Sequence, residues 1–239
     1  MPPSADDLKT GNRLLDALAS KTLARLRPHL NATSLPFNKS MQEPGERAEH
    51  VIFPTSGMIS AVSMMEDGQS VEVGMIGKEG MHGVSAVLGD DSPSQRAMVQ
   101  IAGSGLRITS PLIRQEMQAD AAFRARLLRY TQVTLSTAVQ SAACNRLHLL
   151  EQRAARWLLS AHDRAEADTF PMTHEFLAIM LGVRRPGVTI AAQSLQASGL
   201  ITYNHGTLSV LDRAGLEAAS CECYRFVRDE YDRLLGRLS

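Results

Sequence analysis

Apolar positions divide the chain into three textures. Near the N-terminus Leu14, Leu15, Leu18, Leu23, Leu26 and Leu30 recur at roughly helical spacing, which predicts a helix from Leu14 to Leu30 whose last turn is disturbed by Pro28. From about Leu35 to Thr109 the apolar runs are short and β-prone: Val51–Phe53, Met58–Ser63, Val71–Ile76, Arg96–Ile101 and Leu106–Thr109. Between them lie Pro54-Thr55-Ser56-Gly57, Glu66-Asp67-Gly68-Gln69, Gly77-Lys78-Glu79-Gly80, Gly89-Asp90-Asp91-Ser92-Pro93 and Gly103-Ser104-Gly105. Asp67-Gly68 between two alternating runs is a hairpin signal, and many short strands at regular spacing predict a compact antiparallel roll.

From Pro111 onward the period lengthens. A short helical segment at Leu112–Met117 precedes a run from Ala121 to about Arg146 that contains no Pro or Gly. Phe123, Leu127, Tyr130, Val133, Thr134, Ala138, Ser141 and Ala142 trace one stripe along it. Two readings stand: a helix packed on its own domain, or a seam between two subunits. The seam is preferred, because a long helix joining two domains needs a partner for its stripe and small residues let backbones approach. Asp212 is placed to cap a last helix, Arg213 to Leu238, with an apolar stripe that includes Leu216, Cys223, Phe226 and Leu234.

Between these helices, residues 173–196 read as two helices joined by a tight turn. Thr173 caps the first, and Leu177, Ala178 and Leu181 give it a buried face. Gly182 supplies the positive-φ corner, and Val183 plugs it. The second helix starts at Arg184 or Arg185. Pro186 then falls in its first turn, where the missing N–H has no helical partner to lose. Gly187 near that N-terminus lets backbone approach a phosphate or a base edge. Val188, Ala191 and Leu195 face inward, leaving Arg184, Arg185, Thr189, Ile190 and Gln193 outward. This is the helix-turn-helix pattern, and an ordinary αα-corner is its bland counterpart. Paired Arg at the head of the second helix favours DNA, since Arg grips phosphate and reads guanine bidentately. The hairpin Ile201–Tyr203, Asn204-His205-Gly206, Thr207–Leu211 adds a wing with His205 at its tip near the DNA backbone.

Composition changes this picture little. The chain has 239 residues, a hydrophobic fraction of 44% and a formal net charge of zero, so any electrostatic footprint is local. Only four of the 25 basic residues are Lys, a bias that suits bidentate recognition. There is no signal-peptide pattern and no long apolar run, so a cytoplasmic protein with no membrane association is expected. Enzyme motifs are lacking too: no phosphate-binding Gly-rich loop followed by Lys and Ser/Thr, no His-Glu-x-x-His, no Gly-x-Ser-x-Gly. The zero net charge keeps a second reading open: a ligand-binding sensor or protein-interaction module with a degenerate DNA-binding domain.

Four stretches carry a resemblance to a known family: His50-Val51-Ile52-Phe53-Pro54-Thr55-Ser56-Gly57; Gly77-Lys78-Glu79-Gly80-Met81; Asn145-Arg146-Leu147-His148 through Arg156-Trp157-Leu158-Leu159; and Leu181-Gly182-Val183-Arg184-Arg185-Pro186-Gly187-Val188-Thr189. Over nearly its full length the chain resembles the Crp/Fnr superfamily of bacterial transcription regulators. The resemblance implies an α+β protein: a cyclic-nucleotide-binding-like antiparallel β-roll with an N-terminal helix (1–120), a dimerisation helix (121–147) and a winged helix-turn-helix domain with a C-terminal helix (148–239). It implies a homodimer, double-stranded DNA as partner, and contact with RNA polymerase. Thr173 and His174 hold the places where the family touches phosphates, and Arg185 stands where its major-groove arginine reads a guanine. Pro186 and Ile190 replace two other base-reading positions, so operator preference should differ, with Arg184 and Gln193 as substitutes.

The sensor half departs from the cyclic-nucleotide pattern. Gly83-Val84 stands where that pattern has Gly-Glu, and Arg96-Ala97 where it has Arg-Ser or Arg-Thr. Keeping one charge-assisted contact of three sacrifices several kcal/mol, so cyclic AMP is not expected. Arg96 either pairs with an acid of the roll or binds another anion, and the effector, if any, is unnamed. The first cysteine is Cys144, unlike the N-terminal cluster of iron–sulfur members. Cys221 and Cys223, at i and i+2 of an expected helix, point apart and read as packing thiols, so no metal is expected. An N-terminal Pro-Pro pair with His82 is similar to the haem ligands of carbon-monoxide-sensing members, but no cofactor is expected.

Overall fold

The computed structural model describes residues 9–90 and 92–236. The chain divides into two compact units, Met1–Ser60 with Ile76–Gln132, and Ala61–Met75 with Val133–Ser239. The division falls inside one long helix and assigns the tip of one β-hairpin to the second unit.

The first unit opens with α1 (Arg13–Asp16) and α2 (Ser20–Leu26), followed by a 3-10 turn at Arg27–His29 that contains Pro28. The single helix expected over Leu14–Leu30 is therefore broken. Its two parts are anchored separately. Asn12 is fully buried; its side-chain amide donates to the carbonyls of Pro54 and Gly80, each at 2.8 Å, and its oxygen accepts from the backbone N–H groups of Leu14 and Leu15. Arg25 on α2 instead reaches Glu116 at 3.1 Å and Asp120 at 2.7 Å.

Then come β1 (Asn31–Leu35), β2 (Ser40–Gln42), β3 (His50–Pro54), β4 (Met58–Met64), β5 (Ser70–Ile76), α3 (Val84–Leu88), β6 (Arg96–Ile101) and β7 (Gly103–Thr109). One sheet has the order β1-β7-β3 and the other β2-β6-β4-β5. The five expected strands are present. β1 and β2 escape the hydrophobic pattern because they are largely polar: β1 buries only its last residue, Leu35. Gly103-Ser104-Gly105 belongs to β7 rather than to a turn, pairing with Leu35, Ser34 and Thr33. The Asp67-Gly68 hairpin forms, with Gly68 at φ +83° and its N–H donating to Met65. Alternating inward residues build a core of Leu35, Ile52, Ile59, Ala97 and Val99, with Met41 and Ile76 against it.

α4 (Ser110–Ala119) leads to α5 (Ala121–Leu147), 27 residues long. Asp120 caps α5: one carboxylate oxygen accepts from the N–H groups of Ala122 and Phe123, and the other from the Thr22 hydroxyl and Arg25. These bonds hold its acidity well above that of a free carboxyl. His148 and Leu149 interrupt the helical run before α6 (Leu150–Ala165). The second unit continues with β8 (Thr169–Pro171), α7 (His174–Leu181), α8 (Arg185–Ala197), β9 (Ile201–Asn204), β10 (Thr207–Val210), α9 (Arg213–Ala219) and α10 (Cys223–Leu235). The final helix expected over Arg213–Leu238 is two helices, broken at Ser220–Glu222, where Ser220 adopts an extended conformation. Within the same unit the Trp157 indole donates to Glu72 at 2.7 Å, fixing α6 against the β4–β5 hairpin.

Candidate nucleic-acid interface

α7 and α8 form the expected corner. The Thr173 hydroxyl accepts from the Phe176 N–H and so caps α7. Gly182 ends α7 in the left-handed region at φ +63°, where a side chain would also press Val71 at 2.9 Å. Arg184 is the N-cap of α8, Arg185 its first residue, and Pro186 follows where no intrahelical donor is lost. Val188, Ala191 and Leu195 are buried, as are Leu177, Ala178 and Leu181 across the corner.

That burial pattern leaves Arg184, Arg185, Pro186, Ile190 and Gln193 exposed on one rim of α8. Ile190, 68% exposed, is an apolar side chain in water at the middle of that rim. Arg185 lies 3.9 Å from Glu175, both side chains two-thirds exposed, a loose pair that costs little to open. Two positions sit differently from the sequence expectation. Gly187 is explained within the fold: a Cβ there would meet Leu150 at 3.0 Å. Thr189 is half-buried rather than outward; it donates to the Arg185 carbonyl at 3.1 Å and meets the His174 Nδ1 at 3.1 Å.

His174 therefore faces inward, between α8 and the wing. Its ring centroid lies 4.4 Å from that of Tyr203 on β9. Burial and the nearby Arg185 charge both lower its pKa, so the imidazole is neutral at pH 7. If the Thr189 proton goes to Arg185, the His174 proton sits on Nδ1. The wing itself is the three-stranded sheet β8-β10-β9. β8 went unread in the sequence because it has only three residues, one of them Pro171. His205 and Gly206, at φ +46° and +80°, make the two-residue turn between β9 and β10, with His205 exposed. Tyr203 ties the wing to the corner: its hydroxyl donates to the Met172 carbonyl, and its N–H donates to Gln196 of α8 at 3.0 Å. These two bonds tie β9 of the wing to α8 and to the segment that leads into α7.

α5 shows two faces. Phe123, Leu127 and Tyr130 are buried by their own chain, and the Tyr130 hydroxyl donates to the Met81 carbonyl at 3.0 Å. Gly80 packs so closely on the Tyr130 ring that no side chain fits there. These three residues therefore serve their own unit and are unavailable as a seam. Thr134 and Ser141 are half-buried and Ala138 is exposed. A different line of residues faces solvent: Ala121, Ala125, Leu128, Gln132, Leu135, Val139, Ala142 and Arg146, spaced alternately four and three apart. Leu128, Leu135 and Val139 are 45%, 58% and 64% exposed.

In the roll, Arg96 pairs with Glu43, an acid of the same roll, at 2.8 Å. A Ser40 hydrogen bond and then the Arg96 guanidinium hold the Glu43 carboxyl below the usual range. Ala97 is buried opposite Gln42 on β2. Gly83 begins α3 at φ +109°, close against Val51, and Val84 is the first residue of that helix. His82 bridges Ile52 through its backbone, and burial lowers its imidazole to about 4. Pro2 and Pro3 lie outside the described residues. No helix among the described residues is long and apolar enough to cross a membrane.

The corner, its exposed basic rim and the three-stranded wing define a winged helix-turn-helix protein. More particularly, residues 152–219 match the Crp-like helix-turn-helix domain. No curated protein sequence matches the chain. Among solved structures it is similar to FixK2 from Bradyrhizobium japonicum, at 17% identity over 80% of this chain and 98% of that one, with a TM-score of 0.69. It is similar to the c-di-GMP responsive global regulator CLP from Xanthomonas campestris, at 19% identity over 80% of this chain and 99% of that one, TM-score 0.64. A crp/fnr-family transcriptional regulator from Eubacterium rectale is similar at 16% identity over 88% of this chain and 99% of that one, TM-score 0.66. The chain shares the fold of these solved structures.

Proposed function

We propose that the protein is a homodimeric, sequence-specific DNA-binding transcriptional regulator rather than an enzyme, acting on chromosomal DNA in the cytoplasm and contacting RNA polymerase. One observation carries this reading: the corner leaves Arg184 and Arg185 exposed at the end of α8 where backbone N–H groups are free to meet phosphate, with Ile190 and Gln193 exposed further along the same helix. α8 is the recognition helix. Arg185 reads a base edge, Arg184, Thr173 and His205 hold the backbone, and Ile190 touches an apolar edge such as a thymine methyl. The solvent-facing four-three repeat of α5 supports a two-helix seam, with Ala121, Ala125 and Ala142 allowing close approach. Two-fold symmetry then sets two copies of α8 about 34 Å apart, one turn of DNA.

The β-roll is a sensor whose ligand differs from cyclic nucleotides, since Val84 offers no carboxylate, Ala97 offers no hydroxyl and Arg96 has Glu43 beside it. Selection from a random duplex pool tests the reading. The expected product is a near-palindrome with half-site centres about ten base pairs apart, bound with a steep salt dependence. An unenriched pool, with salt-insensitive or absent binding, favours the sensor with a degenerate DNA module.

A further inference from the structure

The break between α9 and α10 has a chemical consequence. Cys221 lies in the break and Cys223 at the first position of α10, so the two thiols are not separated by helical twist and can turn the same way. Both turn toward the end of α5. Cys144 Sγ lies 3.5 Å from Cys221 Sγ, and Cys223 Sγ lies 3.6 Å from His148 Nδ1. One ligand atom from each of Cys144, His148, Cys221 and Cys223 lies within 4.8 Å of all the others. The three cysteines are buried, at 0%, 3% and 0% exposure, and form a cluster of their own.

We propose that these four residues form a closed tetrahedral site for a soft divalent cation, zinc(II). Metal–sulfur bonds of about 2.3 Å and a metal–nitrogen bond of about 2.0 Å put tetrahedral ligand atoms about 3.8 Å (S···S) and about 3.5 Å (S···N) apart. The Cys144–Cys221 and Cys223–His148 distances lie within about 0.3 Å of this spacing. Three thiolates and one imidazole suit zinc rather than magnesium or calcium, and four protein ligands leave no open position, so the role is structural.

The outer groups fit as well. With Nδ1 facing the cation, the His148 Nε2–H points at Glu222 Oε1, 3.2 Å away, the carboxylate–histidine pairing that orients metal-bound imidazoles. Gln140 donates to Cys223 Sγ at 3.1 Å, as a donor to a bound thiolate should. A zinc ion with three thiolates and a neutral imidazole carries one net negative charge, and the positive charges of Arg156 and Arg153 act on Cys144. On binding, each thiol loses its proton to solvent, so about three protons leave per ion, and no redox step is involved. The ion would join the end of α5, the His148 hinge and the start of α10. The buried Arg153 also donates to the Leu181 carbonyl at 2.6 Å, at the end of α7.

The test uses the full chain, purified reduced and without a metal-binding tag. Elemental analysis should find one zinc per chain, and cobalt(II) exchanged into it should give the intense visible bands of a tetrahedral thiolate site. Zinc added to metal-free protein should release about three protons and raise Tm. Cys223→Ser should abolish the cobalt bands, and Glu222→Gln, which removes only an outer contact, should weaken zinc binding about tenfold or more. Failure of the reduced wild-type chain to take up zinc or to give the cobalt bands overturns the proposal, whatever the variants do. So does a Cys144–Cys221 disulfide as the stable form of the protein, or cobalt bands that persist in Cys223→Ser.

Discussion

Leu135→Ala measures the seam on α5. Leu135 sits in the four-three line of exposed residues, 58% exposed in the single chain. Fully burying a leucine is worth about 1.5–3 kcal/mol, so removing the remaining exposure in a dimer gains about 1–1.7 kcal/mol for each copy. Truncation to Ala forfeits most of that on both helices, about 2 kcal/mol together, which raises the dimer dissociation constant about 30-fold. Ala is the better helix former, so α5 itself is not weakened. Sedimentation equilibrium across a concentration series reads the constant directly, and circular dichroism checks that helix content is kept. Leu135→Glu should go further, since two like charges would face each other across the seam. If Leu135→Ala leaves dissociation within about twofold of wild type, the exposed line is not the interface.

Further outcomes follow from local geometry. Gly182→Ala meets a left-handed backbone and Val71, and should lower stability by at least about 1 kcal/mol in denaturant titration, where Gly199→Ala, with open space around it, should cost only its backbone strain. His82 has a folded pKa lowered to about 4 against an ordinary 6.5, so the unfolded chain takes up its proton first as pH falls. Its contribution is therefore intact above pH 6.5 and lost between 6.5 and 4, by at most about 3 kcal/mol because part of the ring is solvated. Urea midpoints measured across that range should flatten in His82→Gln, and an unchanged pH slope would count against a buried neutral imidazole. Arg96→Ala should change stability by less than about 1 kcal/mol, because its pair with Glu43 is more than a third exposed; a larger loss would mean that Arg96 supports more than that pair.

Much of this molecule could be read from its sequence where one rule acts alone. Asp67-Gly68 makes its hairpin because the turn needs positive φ. Gly182 and Pro186 frame the corner because each is tolerated at few positions, and those positions mark the end of one helix and the start of the next. α5 was legible as a helix but not in its facing. Phe123, Leu127 and Tyr130 are the larger side chains and dominate the pattern, yet they fill their own unit. The solvent line of Ala121, Ala125, Leu128, Leu135 and Val139 is weaker in hydrophobicity and runs roughly half a turn away, on the other side of the helix. The cysteine and histidine constellation was hidden for another reason. It depends on a helix break at Ser220–Glu222 that no Pro or Gly announces, and on two segments far apart in the chain meeting there. Thr189 shows the same limit at smaller scale: periodicity placed it outward, whereas it is half-buried and bonds both the Arg185 carbonyl and His174.

The central claim is that α8 reads bases through Arg185. Gel-shift titrations should compare wild type with Arg185→Ala on the selected palindrome and on unrelated duplex at one fixed salt concentration. A bidentate contact to a base edge predicts a loss of about 1–3 kcal/mol, roughly 5- to 150-fold, on the palindrome and a much smaller loss on unrelated DNA. Equal weakening on both duplexes would reduce Arg185 to a phosphate contact and contradict the account.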